Sequence, residues 1–144
     1  MHYARFAGFL AVAASLSLAG CGGDGDVKTV PVSGTIKKNG QPLAGALVTF
    51  VPMNTADQLA PSSVGKTDSD GKYALRTVID DQAGAIVGKH VVRIEMKDYE
   101  EDPSDDSEKP HRDSIPKKYN YESELQFDVP AGGSKNADFD LQIP

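Results

Sequence analysis

Few residues of this chain have the types and spacing that chemistry needs. Its three histidines, His2, His90 and His111, include no His-x-x-Glu or His-Glu-x-x-His arrangement, the spacing that sets zinc ligands on one helical face. No Gly-x-Ser-x-Gly elbow occurs, and no serine stands in a recognisable histidine-and-acid setting that would make it a nucleophile. The single cysteine, Cys21, cannot close an internal disulfide. No residue is assigned a catalytic role, so the chain is read as a non-enzyme without a cofactor. His90, within an apolar stretch, is expected to be a packed or edge residue of a strand.

Acids offer the remaining chemistry. Asp68-Ser69-Asp70-Gly71 begins like a calcium loop, but such a loop continues with a third oxygen ligand and a Glu six residues beyond the glycine, where this chain has Thr77. Asp68 and Asp70 come nearest to a metal site, yet two carboxylates make an open site and Asp-Gly is a hairpin-turn signal. A turn is the reading adopted, with no metal assigned. Seven acids crowd into eleven residues, from Asp98 through Glu100, Glu101, Asp102, Asp105 and Asp106 to Glu108. Such a run repels itself and buries no apolar area, so residues 98–114 are expected to form an acidic, mobile loop. Lys and Arg total 15 against 21 Asp and Glu, a net charge of −6, which argues against a nucleic-acid partner.

The elements that position these residues begin with a leader. Arg5 precedes an acid-free apolar stretch, Phe6 to Leu18, of the length of a secretory h-region and short for a bilayer span. Residues 1–20 are read as a cleaved signal peptide. Leu18-Ala19-Gly20-Cys21 follows directly and resembles the lipobox of bacterial lipoproteins. That resemblance implies a diacylglyceryl group on the Cys21 sulfur, cleavage after Gly20 and acylation of the new amino terminus, which together supply the several chains that stable anchoring needs. Loss of Arg5 leaves 14 basic and 21 acidic residues, a mature charge of −7. Residues 21–28, with Gly22-Gly23-Asp24-Gly25-Asp26, read as the lipidated cysteine and a flexible tether.

From Thr29 to the end, apolar residues alternate at period 2 between Gly, Pro, Asn and Asp punctuation, which predicts an all-β domain over 29–144. Thr29–Lys37 sets Val30, Val32, Gly34 and Ile36 on one face, and Asn39-Gly40 predicts a hairpin turn. Ala46–Val51 is apolar on both faces and is expected to be covered on both, with Pro52 ending it. Residues 53–65 read as a loop. Gly65–Thr67 and Lys72–Val78 predict a second hairpin, Gly88–Met96 a further strand, and Leu125–Val129 and Phe139–Ile143 the last two. About seven short strands at this spacing predict a Greek-key β-sandwich. Tyr73, Phe127 and Phe139 follow the alternation into the core, while Tyr99, Tyr119 and Tyr121 are candidates for an exposed sugar-stacking platform.

Val32-Ser33-Gly34-Thr35-Ile36, Gly40-Gln41-Pro42-Leu43-Ala44-Gly45-Ala46, Val48-Thr49-Phe50 and Thr67-Asp68-Ser69-Asp70-Gly71-Lys72-Tyr73 together resemble the carboxypeptidase regulatory-like family. Gly84-Ala85, Gly88-Lys89-His90-Val91-Val92 and Ile115-Pro116-Lys117-Lys118-Tyr119 are similar to bacterial lipoproteins of that family. The resemblance spans about residues 30–143 and implies a transthyretin-like sandwich without the zinc-bearing catalytic domain of the carboxypeptidases themselves. The expectation is therefore a lipoprotein of the cell envelope, facing the periplasm or the cell exterior and held to the membrane by its lipid. It would act in envelope assembly, adhesion or protein-partner binding, and the alternative is a carbohydrate- or cation-binding accessory module for a separately encoded enzyme. The residues that bind such a partner are not identified by the sequence.

Overall fold

The computed structural model describes residues 28–53, 60–96 and 115–144. Strands β1 (Thr29–Val30) and β2 (Ser33–Lys38) turn Val30, Val32, Gly34 and Ile36 inward, the two-residue period that a half-buried strand imposes. Asn39 and Gly40, with φ of 50° and 81°, make the two-residue turn to β3 (Gln41–Pro42). Positive φ at both positions matches the twist of the flanking strands, which is why Asn-Gly serves here. The chain then crosses to a second sheet as β4 (Leu47–Pro52) and returns beside it as β5 (Ser63–Lys66). Next come β6 (Lys72–Ala74), β7 (Arg76–Thr77), β8 (Ala85–Ile86) and β9 (Gly88–Glu95). A 3-10 turn (Lys117–Tyr119), β10 (Gln126–Val129) and β11 (Phe139–Leu141) complete the described residues.

The architecture is all-β. One sheet runs β10-β9-β4-β5-β7; a second sets β2 among β11, β3 and β6; β1 and β8 form a separate pair. All pairings between strands are antiparallel except β11 with β2, which are parallel. Register gives the five-stranded sheet two ends. Pro52 stands opposite His90, Phe50 opposite Ser63, and Ser63 opposite Thr77, so these residues mark the upper end. Leu47 stands opposite Lys66 and Glu95 at the lower end.

Inward residues of both sheets meet in one hydrophobic cluster. Val48, Phe50, Val92 and Ile94 from the five-stranded sheet are fully buried, as are Ile36 and Leu141 from the other. Each such side chain contributes on the order of 1.5–3 kcal/mol by leaving water. Close approach is built into β2, where a Cβ on Gly34 would stand 2.0 Å from the Ala137 carbonyl oxygen. Only a residue without a side chain lets the segment before β11 lie against it. Tyr73 crosses the same region, its hydroxyl donating to that Ala137 carbonyl at 2.6 Å, and burial followed by the nearby Asp138 charge pushes its phenol well above the usual range.

Several expectations change. Strand β4 buries Val48 and Phe50 but leaves Leu47, Thr49 and Val51 half-buried. Its outer face is covered sideways, by Val91 opposite Val51 and Val64 opposite Thr49, rather than on both faces by second layers. Pro52 ends β4 as its last residue, tolerated there because the ladder to β5 stops at Phe50 and no partner on that side needs its missing N–H. Strand β5 starts at Ser63, inside the stretch read as a loop. Pro42 lies in β3 opposite Lys37. The segment Lys72–Val78 divides at Leu75: β6 pairs with β2, whereas β7 pairs with β5. The leader 1–20, Cys21 and the tether to residue 27, residues 54–59 and the acidic loop 98–114 lie outside the described residues.

Phe50→Ala is expected to lower stability by about 3–5 kcal/mol, through lost transfer free energy and the cavity left between sheets. Chemical denaturation of the variant against the parent chain measures it, and an unchanged midpoint contradicts the packing described.

Candidate functional site

Three places carry the residues singled out for chemistry: the core around His90, the Asp68–Gly71 turn, and the tyrosines beside the 3-10 turn. His90 faces inward on β9, one alternation before Val92, so the strand's own period buries it. Its ring packs 5.7 Å from that of Phe50, which also meets Phe127 at 5.8 Å, Phe139 at 6.4 Å and Tyr73 at 6.5 Å. Nδ1 lies 2.9 Å from the Gly88 carbonyl oxygen, and since a carbonyl only accepts, Nδ1 carries the proton. Nε2 is then a bare acceptor, buried and without a hydrogen-bond partner.

Burial pushes the His90 pKa below the ordinary histidine value, only partly opposed by the Gly88 carbonyl and the Asp128 charge. The ring is neutral at neutral pH and has the form of a general base. Among the described residues the other buried side-chain polar atom lacking a partner is Ser63 Oγ, so serine and histidine do not bond each other. Register explains this, since Ser63 on β5 and His90 on β9 flank β4 on opposite sides. A nucleophile and base must be within hydrogen-bond reach, so the pair is not a catalytic dyad. His90 is the packed strand residue expected of it.

The Asp68–Gly71 segment is a closed turn. Asp68 Oδ1 accepts from the Asp70 and Lys72 backbone N–H groups, both at 2.9 Å, and the Gly71 N–H donates to the Asp68 carbonyl. Gly71 has φ of 72°, and a Cβ there would also stand 2.5 Å from the Ile36 carbonyl oxygen. The Asp68 carboxylate thus holds backbone, the role of an Asx turn. Among the described residues no three His, Cys, Asp or Glu side chains gather as metal ligands.

No protein-family model, curated protein or solved structure matches this chain. Geometry alone therefore assigns roles. Tyr119 is half-buried and fastens the C-terminal segment, its hydroxyl donating to the Gln142 carbonyl at 3.2 Å and accepting the Gln142 N–H at 3.1 Å. Tyr121 is exposed. Lys118 Nζ lies 4.8 Å from the Tyr119 ring centre and Lys117 Nζ 5.3 Å from that of Tyr121. Each of these rings therefore has an ammonium group of the chain itself over one face. Tyr73 is buried and Phe127 and Phe139 half-buried, all three joined to the core; Tyr99 and Cys21 lie outside the described residues.

A turn that the sequence reading did not single out closes the upper end after β7. The Thr77 hydroxyl donates to Asp80 and accepts the Gln82 N–H at 2.9 Å, while the Arg76 guanidinium pairs with Asp81. The Thr77 hydroxyl holds the Asp80 carboxyl below its usual range, and Arg76 does the same for Asp81. Its signal in the sequence was the polar run Asp80-Asp81-Gln82 after β-branched residues, a common turn composition and hence an unspecific one.

The buried neutral imidazole sets the sign of a pH effect. As pH falls below about 6.5 the unfolded chain takes up a proton that folded His90 resists, so unfolding is favoured. Stability is complete above that value and declines as pH falls toward the lower pKa of the folded state. With His2 and His111 replaced by Gln, the denaturation midpoint is expected to fall between pH 7 and 5, and His90→Leu to flatten that slope whatever its effect on absolute stability. A slope that survives the substitution assigns it to another group.

Proposed function

We propose that this chain is a lipid-anchored protein of the cell envelope, facing the periplasm or exterior, whose domain is a non-catalytic protein-binding module. The observation that carries the reading is Leu18-Ala19-Gly20-Cys21, placed directly after an acid-free apolar stretch and containing the only cysteine of the chain. In that reading the Cys21 thiol takes a diacylglyceryl group from a phospholipid: a C–S bond forms as the C–O bond to the headgroup phosphate breaks, and the phosphate leaves with the thiol proton. At a mature charge of −7 the polypeptide has no electrostatic affinity for anionic lipid, so the acyl chains hold it to the membrane.

The finer fold assignment belongs to the same proposal: a transthyretin-like, Greek-key β-sandwich of the carboxypeptidase regulatory-like family. Support comes from the residues of the resemblance and from how they are used. Asn39-Gly40 turns β2 into its neighbour β3 within one sheet, and Asp68–Gly71 turns β5 toward β6, where the chain changes sheet, so both turn motifs of the resemblance are used as strand connections. The accessory sugar- or cation-binding reading has less support, because Asp68 holds its own turn and lysines lie over Tyr119 and Tyr121.

Cys21→Ser is expected to abolish labelling by radioactive palmitate and to release the protein from membranes during fractionation. A Cys21→Ser protein that keeps both label and membrane association overturns the lipoprotein reading.

A further inference from the structure

Four large hydrophobic side chains are exposed among the described residues, and three of them occupy one end of the domain. Val78 and Ile79, 56% and 74% exposed, sit in the turn after β7, and Val87, 43% exposed, joins β8 to β9. All three belong to the upper end: the Val78 N–H donates to the Ser62 carbonyl, and Val87 precedes Gly88 at the start of β9. The fourth, Tyr121, follows the 3-10 turn.

The chain also enters its described fold at this end. Thr29 pairs with Ile86, the residue before Val87, and its hydroxyl reaches the Gln82 side chain at 3.4 Å. The first strand therefore touches both segments that bear the exposed apolar residues. Seven residues separate Cys21 from Thr29, a connection that spans at most about 28 Å when fully extended. A domain of this size is roughly 35 Å across, from a radius of gyration near 13 Å. A lipid on Cys21 thus keeps the upper end within about one domain width of the bilayer.

Charge is distributed to match. Lys28, Arg76 and Lys89 match Asp80, Asp81 and Asp128 at the upper end, where Asp128 stands opposite Lys89 and Arg76 pairs with Asp81. The acidic run Asp98–Glu108 follows Met96, beyond Glu95 at the lower end of β9. The apolar, nearly charge-balanced end lies at the anchor, and the described residue leading into the acidic run lies at the opposite end.

We propose that Val78, Ile79 and Val87 form a membrane-facing surface that rests in the interface of the bilayer carrying the lipid anchor, orienting the domain with its lower end outward. This rests on the lipoprotein reading. A lone exposed Val or Ile is ordinary, but three at the end where the chain enters the fold can each bury apolar area against lipid without any added cost of bringing the domain to the surface, because the anchor has already done so.

The test uses the full lipidated chain in phosphatidylcholine vesicles that contain nitroxide-bearing lipid. Acylated Cys21 has no free thiol, so Ile79→Cys, Val87→Cys and Asp70→Cys each offer one site for a fluorescent label, the last in the turn at the lower end. Labels at 79 and 87 are expected to be quenched several-fold more than the label at 70. If the unsubstituted chain takes up the thiol label, Cys21 is unmodified and both the lipoprotein reading and this orientation fall. If it refuses the label while positions 79 and 70 are quenched equally, the anchor stands and the orientation is overturned. Labels at 79 and 87 that leave water without being quenched by the lipid indicate a protein, such as a second copy of the chain, on this surface and also overturn it.

Discussion

The Phe50 ring stands where the two sheets meet, and most of the architecture follows from filling the space around it. On its own sheet it touches His90 and Phe127; across the interior it touches Tyr73 of β6 and Phe139 of β11. Phe127 and Phe139 also contact each other edge to face, at 6.3 Å, closing a ring of aromatic contacts. Such tilted arrangements contribute about 0.5–1.5 kcal/mol each beyond area burial. Buried aliphatic side chains, Ile36, Val48, Val92, Ile94 and Leu141 among them, complete the join between the layers around this aromatic centre.

That aromatic centre explains why strands change sheet where they do. Leu75 is buried between β6 and β7, and the chain passes at that residue from pairing with β2 to pairing with β5. The sheets approach closely there: a Cβ on Gly65 of β5 would stand 2.6 Å from the Ala74 carbonyl oxygen. Glycine at 65, like Gly34 against Ala137, is required by neighbouring backbone rather than by its own dihedral angles. His90 shares in this packing at the cost of a bare Nε2, and its lowered pKa is a by-product of filling the core.

Function is then located by what the core does not use. Among the described residues the Asp68 carboxylate holds its own turn, the Tyr119 hydroxyl fastens Gln142, and lysine ammonium groups lie over the Tyr119 and Tyr121 rings. What remains outward-facing is organised by end. The upper end carries the incoming chain and exposed aliphatic side chains, and the lower end carries the Asp68–Gly71 turn and the exit of β9 toward the acidic run. An asymmetric module of this kind suits a protein held by one terminus, because tether and free surface need not compete for the same face.

The period-2 alternation was legible in the sequence because burial on one face of a strand is a local property. Val30, Val32, Ile36, Val92, Ile94 and Leu141 are inside as that pattern requires, and Asn39-Gly40 makes its turn because positive φ is a property of those residues alone. The short motif ending at Cys21 is likewise local, read residue by residue without a fold. Strand partners were not legible. Nothing in Lys72–Val78 marks the change of sheet at Leu75, nothing in Ala46–Val51 shows that its outer face is covered by neighbouring valines, and nothing in Thr29 points to Ile86 and Gln82. Such pairings join residues tens of positions apart and are selected by how all the strands fill one core together. The placing of Val78, Ile79 and Val87 at the end where the first strand enters was decided in the same way, by tertiary structure, since nothing local to any of the three marks that end.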